Sequence, residues 1–140
     1  MFYLDTSVLV AALTNEPRTD DVQRWLSSQP AGELAISDWV ITEFSGALST
    51  KLRTQQLRAE DRAESLSLFA TLRDESLHVF GLSRLDFHTA ARFADQQATG
   101  LRSGDALHLA VAANHGLRLV SLDRGLVEGA AATAVSAQLL

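Results

Sequence analysis

Four acidic residues stand where their chemistry could be combined: Asp5, Glu43, Asp105 and Asp123. Asp5 follows the apolar run Met1–Leu4 with no loop between, a place where burying a carboxylate without a cation is costly. Asp123 lies just past a second apolar run, Leu117–Ser121. Asp105 falls in the first turn of a helical pattern beginning near Ser103, and Glu43 in the second turn of the helix that follows Leu34–Ile36. Singly, each has an ordinary explanation, because Asp favours helix caps and first turns. Together, carboxylates at close range repel and titrate as a coupled set. Mg²⁺ or Mn²⁺ resolves that conflict, since both prefer oxygen ligands. One or two such ions can activate a water and steady the charge of a phosphodiester under in-line attack. Such a site needs acids far more than a histidine base.

The elements that must position these acids follow from the apolar periodicity. Short buried strands are expected at Met1–Leu4, Leu34–Ile36, Leu77–Phe80 and Leu117–Ser121, with a fifth, edge strand at Thr133–Val135. Helical patterns fill the spaces between them. One runs over Val8–Leu13, one carries Val22, Trp25 and Leu26 on a single face, and one runs from about Trp39 to Lys51, capped by Ser37 or Asp38. Further helices are expected over Ala59–Glu75, from the Ser83/Asp86 capping box through Ala98, from a Ser103 cap to Asn114, and over Asp123–Ala131. Gly100 and Gly116 stop two of these. Strands alternating with helices imply right-handed crossovers, hence a three-layer α/β/α sandwich around a short, mainly parallel sheet of four or five strands. Functional groups in such folds gather beyond the carboxyl ends of the strands, and all four acids qualify.

The 140 residues form a single domain, 1–140, with 46% hydrophobic and 21% charged residues in the ordinary globular range. The absence of cysteine excludes a disulfide scaffold, thiolate zinc and a cysteine nucleophile. No basic segment leads into an apolar stretch at the N-terminus, and no apolar run approaches the roughly 20 residues of a membrane span, so a cytoplasmic protein is expected. The net charge of −5 differs from the basic signature of a nucleic-acid binder. Acids gathered around cations would supply much of that negative charge, however, and all the basic residues but Lys51 are arginine, suited to bidentate phosphate contacts.

The strings Tyr3-Leu4-Asp5-Thr6-Ser7-Val8-Leu9, Thr42-Glu43-Phe44, Arg102-Ser103-Gly104-Asp105-Ala106-Leu107-His108-Leu109-Ala110 and Leu119-Val120-Ser121-Leu122-Asp123 resemble those of PIN domains. More closely, they resemble the VapC toxins of bacterial toxin–antitoxin pairs, in order, spacing and overall length. The resemblance implies a Mg²⁺- or Mn²⁺-dependent endoribonuclease acting on RNA, assembled as a homodimer and silenced by a small cognate antitoxin. It matches Asp5 and Asp105 to the principal metal ligands, and Glu43 and Asp123 to the remaining acids. Thr6 and Ser7 match a polar turn supporting the first acid, and Ser121 a small hydroxyl residue near the last. Leu122 departs from the pattern, being more apolar than the family's usual residue there.

Among the other residues, Arg102 precedes the Asp105 helix and could meet a substrate phosphate or orient a carboxylate. His108 shares a helix face with Asp105 and is expected to hydrogen-bond its own surroundings. Trp25 and Trp39 read as core or dimer-interface side chains ahead of base-stacking ones, and Arg53, Arg58, Arg62 and Arg73 as a solvated helix face. Other readings of the acids fit less well. A haloacid-dehalogenase-like phosphatase needs a second acid where Ser7 stands, and a receiver domain needs paired early acids and a late lysine. A non-catalytic PIN-like module that holds RNA or an antitoxin remains as the contrasting class.

Overall fold

A computed structural model describes residues 1–140. Five strands form one sheet: β1 (Phe2–Leu4), β2 (Leu34–Ser37), β3 (His78–Phe80), β4 (Arg118–Ser121) and β5 (Ala137–Leu139). Their order is β3-β2-β1-β4-β5 and every pairing is parallel, with Tyr3 opposite Ala35 on one side and Leu119 on the other. The helices are α1 (Thr6–Leu13), α2 (Thr19–Ser27), α3 (Asp38–Arg53), α4 (Ala59–Ser76), α5 (Arg84–Ala94), α6 (Ser103–Asn114) and α7 (Arg124–Ala132). None of them is long and apolar enough to cross a membrane.

The strands are short, so burial must hold them. Tyr3, Leu4, Ala35, Ile36, Leu119 and Val120 are fully buried, as the continuous apolar runs of a sheet covered on both faces require. Helix α6 is buried along its whole middle, from Ala106 to Ala112, which explains why its sequence has no strong polar face. Helices α3 and α4 meet through Phe44 and Phe69, whose ring centroids lie 4.4 Å apart. Trp25 is half-buried and packs edge-on against Phe2 at 5.4 Å at the margin of the core, one of the two roles expected of it.

From β1 the chain builds outward to β2 and β3, then returns to place β4 and β5 on the other side of β1. The strand order therefore reverses between β1 and β4, and their carboxyl ends open into a crevice at that point. Asp5 sits at its mouth, its backbone N–H donating to the Val120 carbonyl at 3.1 Å.

Most boundaries agree with the sequence expectation to within about two residues. Arg102 rather than Ser103 takes the N-cap position of α6, because Ser103 already lies in the helix. Two boundaries differ by more. Helix α5 stops at Ala94, and Gln97–Thr99 forms a separate 3₁₀ turn closed by Gly100 at φ 65°. Residues Ala94 to Ala98 are exposed, so no buried stripe supports a longer helix. The last strand begins at Ala137 rather than Thr133. Thr133 instead ends α7, its hydroxyl donating to the Gly129 carbonyl at 2.9 Å, and Ala134 adopts φ 58°, a left-handed conformation incompatible with a strand. The Ser83/Asp86 capping box is present as expected.

Candidate functional site

Asp5 directly follows β1 and is the N-cap of α1, with an extended backbone and a carboxylate that accepts from the Val8 N–H at 3.3 Å. Two serine hydroxyls complete its surroundings. Ser7 Oγ donates to Asp5 Oδ1 at 2.6 Å, and Ser121 Oγ donates to Oδ2 at 2.7 Å. Each serine oxygen also accepts a backbone N–H from the loop after β4, Ser7 from Leu122 at 3.0 Å and Ser121 from Asp123 at 2.8 Å. The two hydroxyls thus fasten the β1–α1 turn to the β4–α7 turn and aim both oxygens of one buried carboxylate. Asp123 is exposed and caps α7 through the Leu126 N–H at 3.2 Å.

Glu43 reaches the same crevice from α3. Its Oε2 accepts from Thr6 Oγ1 at 2.6 Å and lies 2.6 Å from Nε2 of His108 on α6. The other ring nitrogen of His108 lies 3.0 Å from the Tyr3 hydroxyl, which is itself 2.7 Å from Ser37 Oγ. Glu43 Oε1 points at the first turn of α6, where a Cβ on Gly104 would stand only 2.9 Å away. Asp105, the next residue, accepts from the Arg102 N–H at 3.2 Å. The Arg102 side chain is exposed and belongs to no ion pair.

Ser121 connects the turns that carry Asp123 and Asp5, Thr6 follows Asp5 and binds Glu43, and Gly104 lies between Glu43 and Asp105. No three acidic or histidine side chains close into a ready metal cage. Like charges repel, and each acid turns to a nearby donor: a helix N–H, a hydroxyl or the imidazole. No lysine or arginine pairs with any of the four. Oxygen donors with no lysine or arginine to neutralise them are of the kind that suits a hard divalent cation such as Mg²⁺ or Mn²⁺.

The PIN domain family matches residues 2–131. This chain belongs to the PIN domain family. A VapC ribonuclease of Rhizobium meliloti (strain 1021) is 30% identical over 132 residues, covering 86% of this chain and 92% of the relative. The PIN fold is equally evident among solved structures. Mycobacterium tuberculosis VapC20, a sarcin-ricin loop cleaving toxin, superposes with a TM-score of 0.75 at 16% identity over 96% of each chain. VapBC2 from Rickettsia felis, bound to a DNA fragment from its promoter, gives 0.68 at 17% identity over 100% of this chain and 99% of the other. At those identities the two structures speak to fold alone.

Electrostatics divide the acids of this PIN domain. Burial raises the Asp5 carboxyl above the usual carboxylate range, and the nearby His108, Ser7, Ser121 and the Val8 N–H offset that only in part. Burial also pushes Glu43 upward, but the hydrogen bond and charge of His108, with the Thr6 hydroxyl, outweigh it and hold Glu43 below its ordinary value. Burial raises the Tyr3 hydroxyl, which stays protonated.

Sequence reasoning did not reach Tyr3, Ser37 or Gly104, and it gave His108 only a local role. Tyr3 read as one apolar strand residue among several. The signal available for His108 was its spacing of three from Asp105, which places both on one helix face. Arg58 and Arg73 pair with Asp61 and Asp74 at 2.8 and 2.6 Å on the surface, consistent with a solvated face, whereas Arg62 is half-buried and its Nε has no partner, so the face is not solvated throughout.

Proposed function

We propose that this chain is a Mg²⁺- or Mn²⁺-dependent endoribonuclease of the VapC toxin kind. The observation that carries the reading is that Asp5, Glu43, Asp105 and Asp123 all stand just past the ends of strands or in the first two turns of helices, unpaired with any lysine or arginine. Membership of the PIN family and the VapC ribonuclease relative support it. In this reading Asp5 and Asp105 hold the cation, assisted by Glu43 and Asp123. When bound, the ion lowers the pKa of a water and stabilises charge on the phosphodiester. The protein supplies the rest. Ser7 and Ser121 orient both oxygens of Asp5, Thr6 fixes Glu43, and the exposed Arg102 meets a substrate phosphate. A homodimer in the cytoplasm, held inactive by a cognate antitoxin, completes the reading, in keeping with the VapBC2 assembly among its structural relatives.

Purified protein is expected to cut RNA internally with Mg²⁺ or Mn²⁺ and to stop on chelation, with cleavage ends mapped on total RNA. Intact RNA together with no Mn²⁺ binding by calorimetry would reject the enzyme in favour of a binding module.

A smaller test concerns Gly104. Its φ is ordinary, so the requirement is for space: a Cβ would meet Glu43 Oε1 at 2.9 Å and the Trp39 ring at 3.6 Å. Gly104→Ala gains up to about 1 kcal/mol of helix propensity yet displaces Glu43. Cleavage is expected to fall about tenfold with the melting temperature unchanged or higher. Wild-type rates in that variant would show that the close approach is unimportant.

A further inference from the structure

We infer that His108 is a positioning residue, the middle of a buried column Ser37–Tyr3–His108 that grips Glu43 by one carboxylate oxygen and leaves the other facing the first turn of α6. The inference rests on the nuclease reading of the site.

The column is built from residues far apart in sequence and is closed to solvent. Tyr3 and Ser37 are fully buried, and His108 is 3% exposed. Proton counting fixes the direction of the hydrogen bond at its Glu43 end. An ionised Glu43 only accepts, so the 2.6 Å contact requires a proton on His108 Nε2. With that proton in place, the other ring nitrogen, Nδ1, lies 3.0 Å from the Tyr3 hydroxyl, which is 2.7 Å from Ser37 Oγ, and donors and acceptors alternate along the column. Every member is satisfied, and each is held by the next. Such a connected chain specifies one geometry, whereas a broken one leaves a buried polar group unpaired.

The grip is one-sided. Thr6 Oγ1 and His108 Nε2 both converge on Oε2 of Glu43. Oε1 is left toward Gly104, on the side of Asp105. Glutamate has three side-chain torsions, and holding one oxygen from two directions selects a single arrangement for the other. Both ring nitrogens of His108 are engaged and the ring is buried, so it has no lone pair to offer a water or substrate. A general base in this position is thereby excluded, and the role left is orientation. Groups that hydrogen-bond to a metal-ligating carboxylate characteristically matter at the level of about 10–100-fold in affinity or activity.

The test compares His108→Leu, His108→Gln and Tyr3→Phe with the wild type, using Mn²⁺ titration calorimetry, thermal melting and RNA cleavage. Leucine removes the donor, while glutamine keeps an amide N–H able to reach Glu43. The expected result is Mn²⁺ binding and kcat lowered about 10–100-fold in His108→Leu, with KM for RNA little changed, and most of both recovered in His108→Gln. Tyr3→Phe, which removes only the hydroxyl steadying Nδ1, should lower both in the same direction by a smaller factor. Folded His108→Leu with wild-type Mn²⁺ affinity and kcat would overturn the inference, as would a folded glutamine variant no better than leucine. If His108→Leu does not fold, Tyr3→Phe decides, and wild-type Mn²⁺ binding and kcat in that variant would overturn it. Absence of cleavage by the wild type would instead fail the nuclease reading itself.

Discussion

Asp5→Asn should abolish RNA cleavage while leaving the metal-free protein at least as stable as the wild type. Loss of a principal ligand forfeits several kcal/mol of charge stabilisation, and each ~1.4 kcal/mol is tenfold in rate, so a fall of at least about 100-fold is expected. Stability should move the other way. The Asp5 carboxyl is raised in the folded protein because burial outweighs His108 and its hydrogen bonds. Between its ordinary and its raised pKa the folded state therefore binds more protons than the unfolded state, and stability falls as pH rises through that window. Above the window the cost of the buried charge is fully present. Asparagine carries no such charge and keeps an oxygen to accept from Ser7. In chelator, Asp5→Asn should melt at or above the wild type near neutral pH, with the difference closing in acid below the ordinary carboxylate range. Glu43 has the opposite sign: its pKa is held down, so its contribution is lost as pH falls through the lowered value. Cleavage by Asp5→Asn at the wild-type rate would remove the catalytic assignment. A lower melting point in the variant at neutral pH would show that the buried charge is not a burden.

Asp105→Ala should relieve the slowed growth expected when the protein is expressed without a partner. Asp105 also caps α6, its carboxylate accepting from the Arg102 N–H at 3.2 Å, so a purely structural effect must be weighed. Losing that cap costs about 1 kcal/mol, small against the roughly 5–15 kcal/mol that keeps a domain folded. The variant should accumulate to near wild-type levels, melt only a few degrees lower, and cut RNA at least about 100-fold more slowly. Growth and soluble protein are measured together in the same cultures. Arrest persisting with a folded, cleavage-deficient Asp105→Ala would separate toxicity from catalysis.

Most of the frame was legible along the chain because it depends on local patterns. The mainly apolar runs at Met1–Leu4 and Leu117–Ser121 and the helical periodicity of α3 and α6 are short-range properties, and the α/β alternation follows from them. They also placed Asp5 and Asp123 beyond strand ends and Asp105 at a helix start. Boundaries were misread where a longer-range fact decided. Nothing in the local pattern of Ala94–Ala98 reveals that those residues have no neighbour to cover them, and Ala134 becomes left-handed only because α7 must turn back to deliver β5.

For the acids themselves, the sequence determined which carboxylates stand at the sheet's edge. Only the tertiary structure decided how each is held. Ser121 meets Asp5 across 116 positions, and His108 meets Glu43 across 65 and Tyr3 across 105. Those contacts exist because α6 packs against β4 and β4 lies beside β1, which brings His108 to Tyr3, arrangements set by burial of whole apolar faces and carried by no local signal. Gly104 is the same case in miniature. Its small size matters solely because Glu43 arrives beside it from another helix.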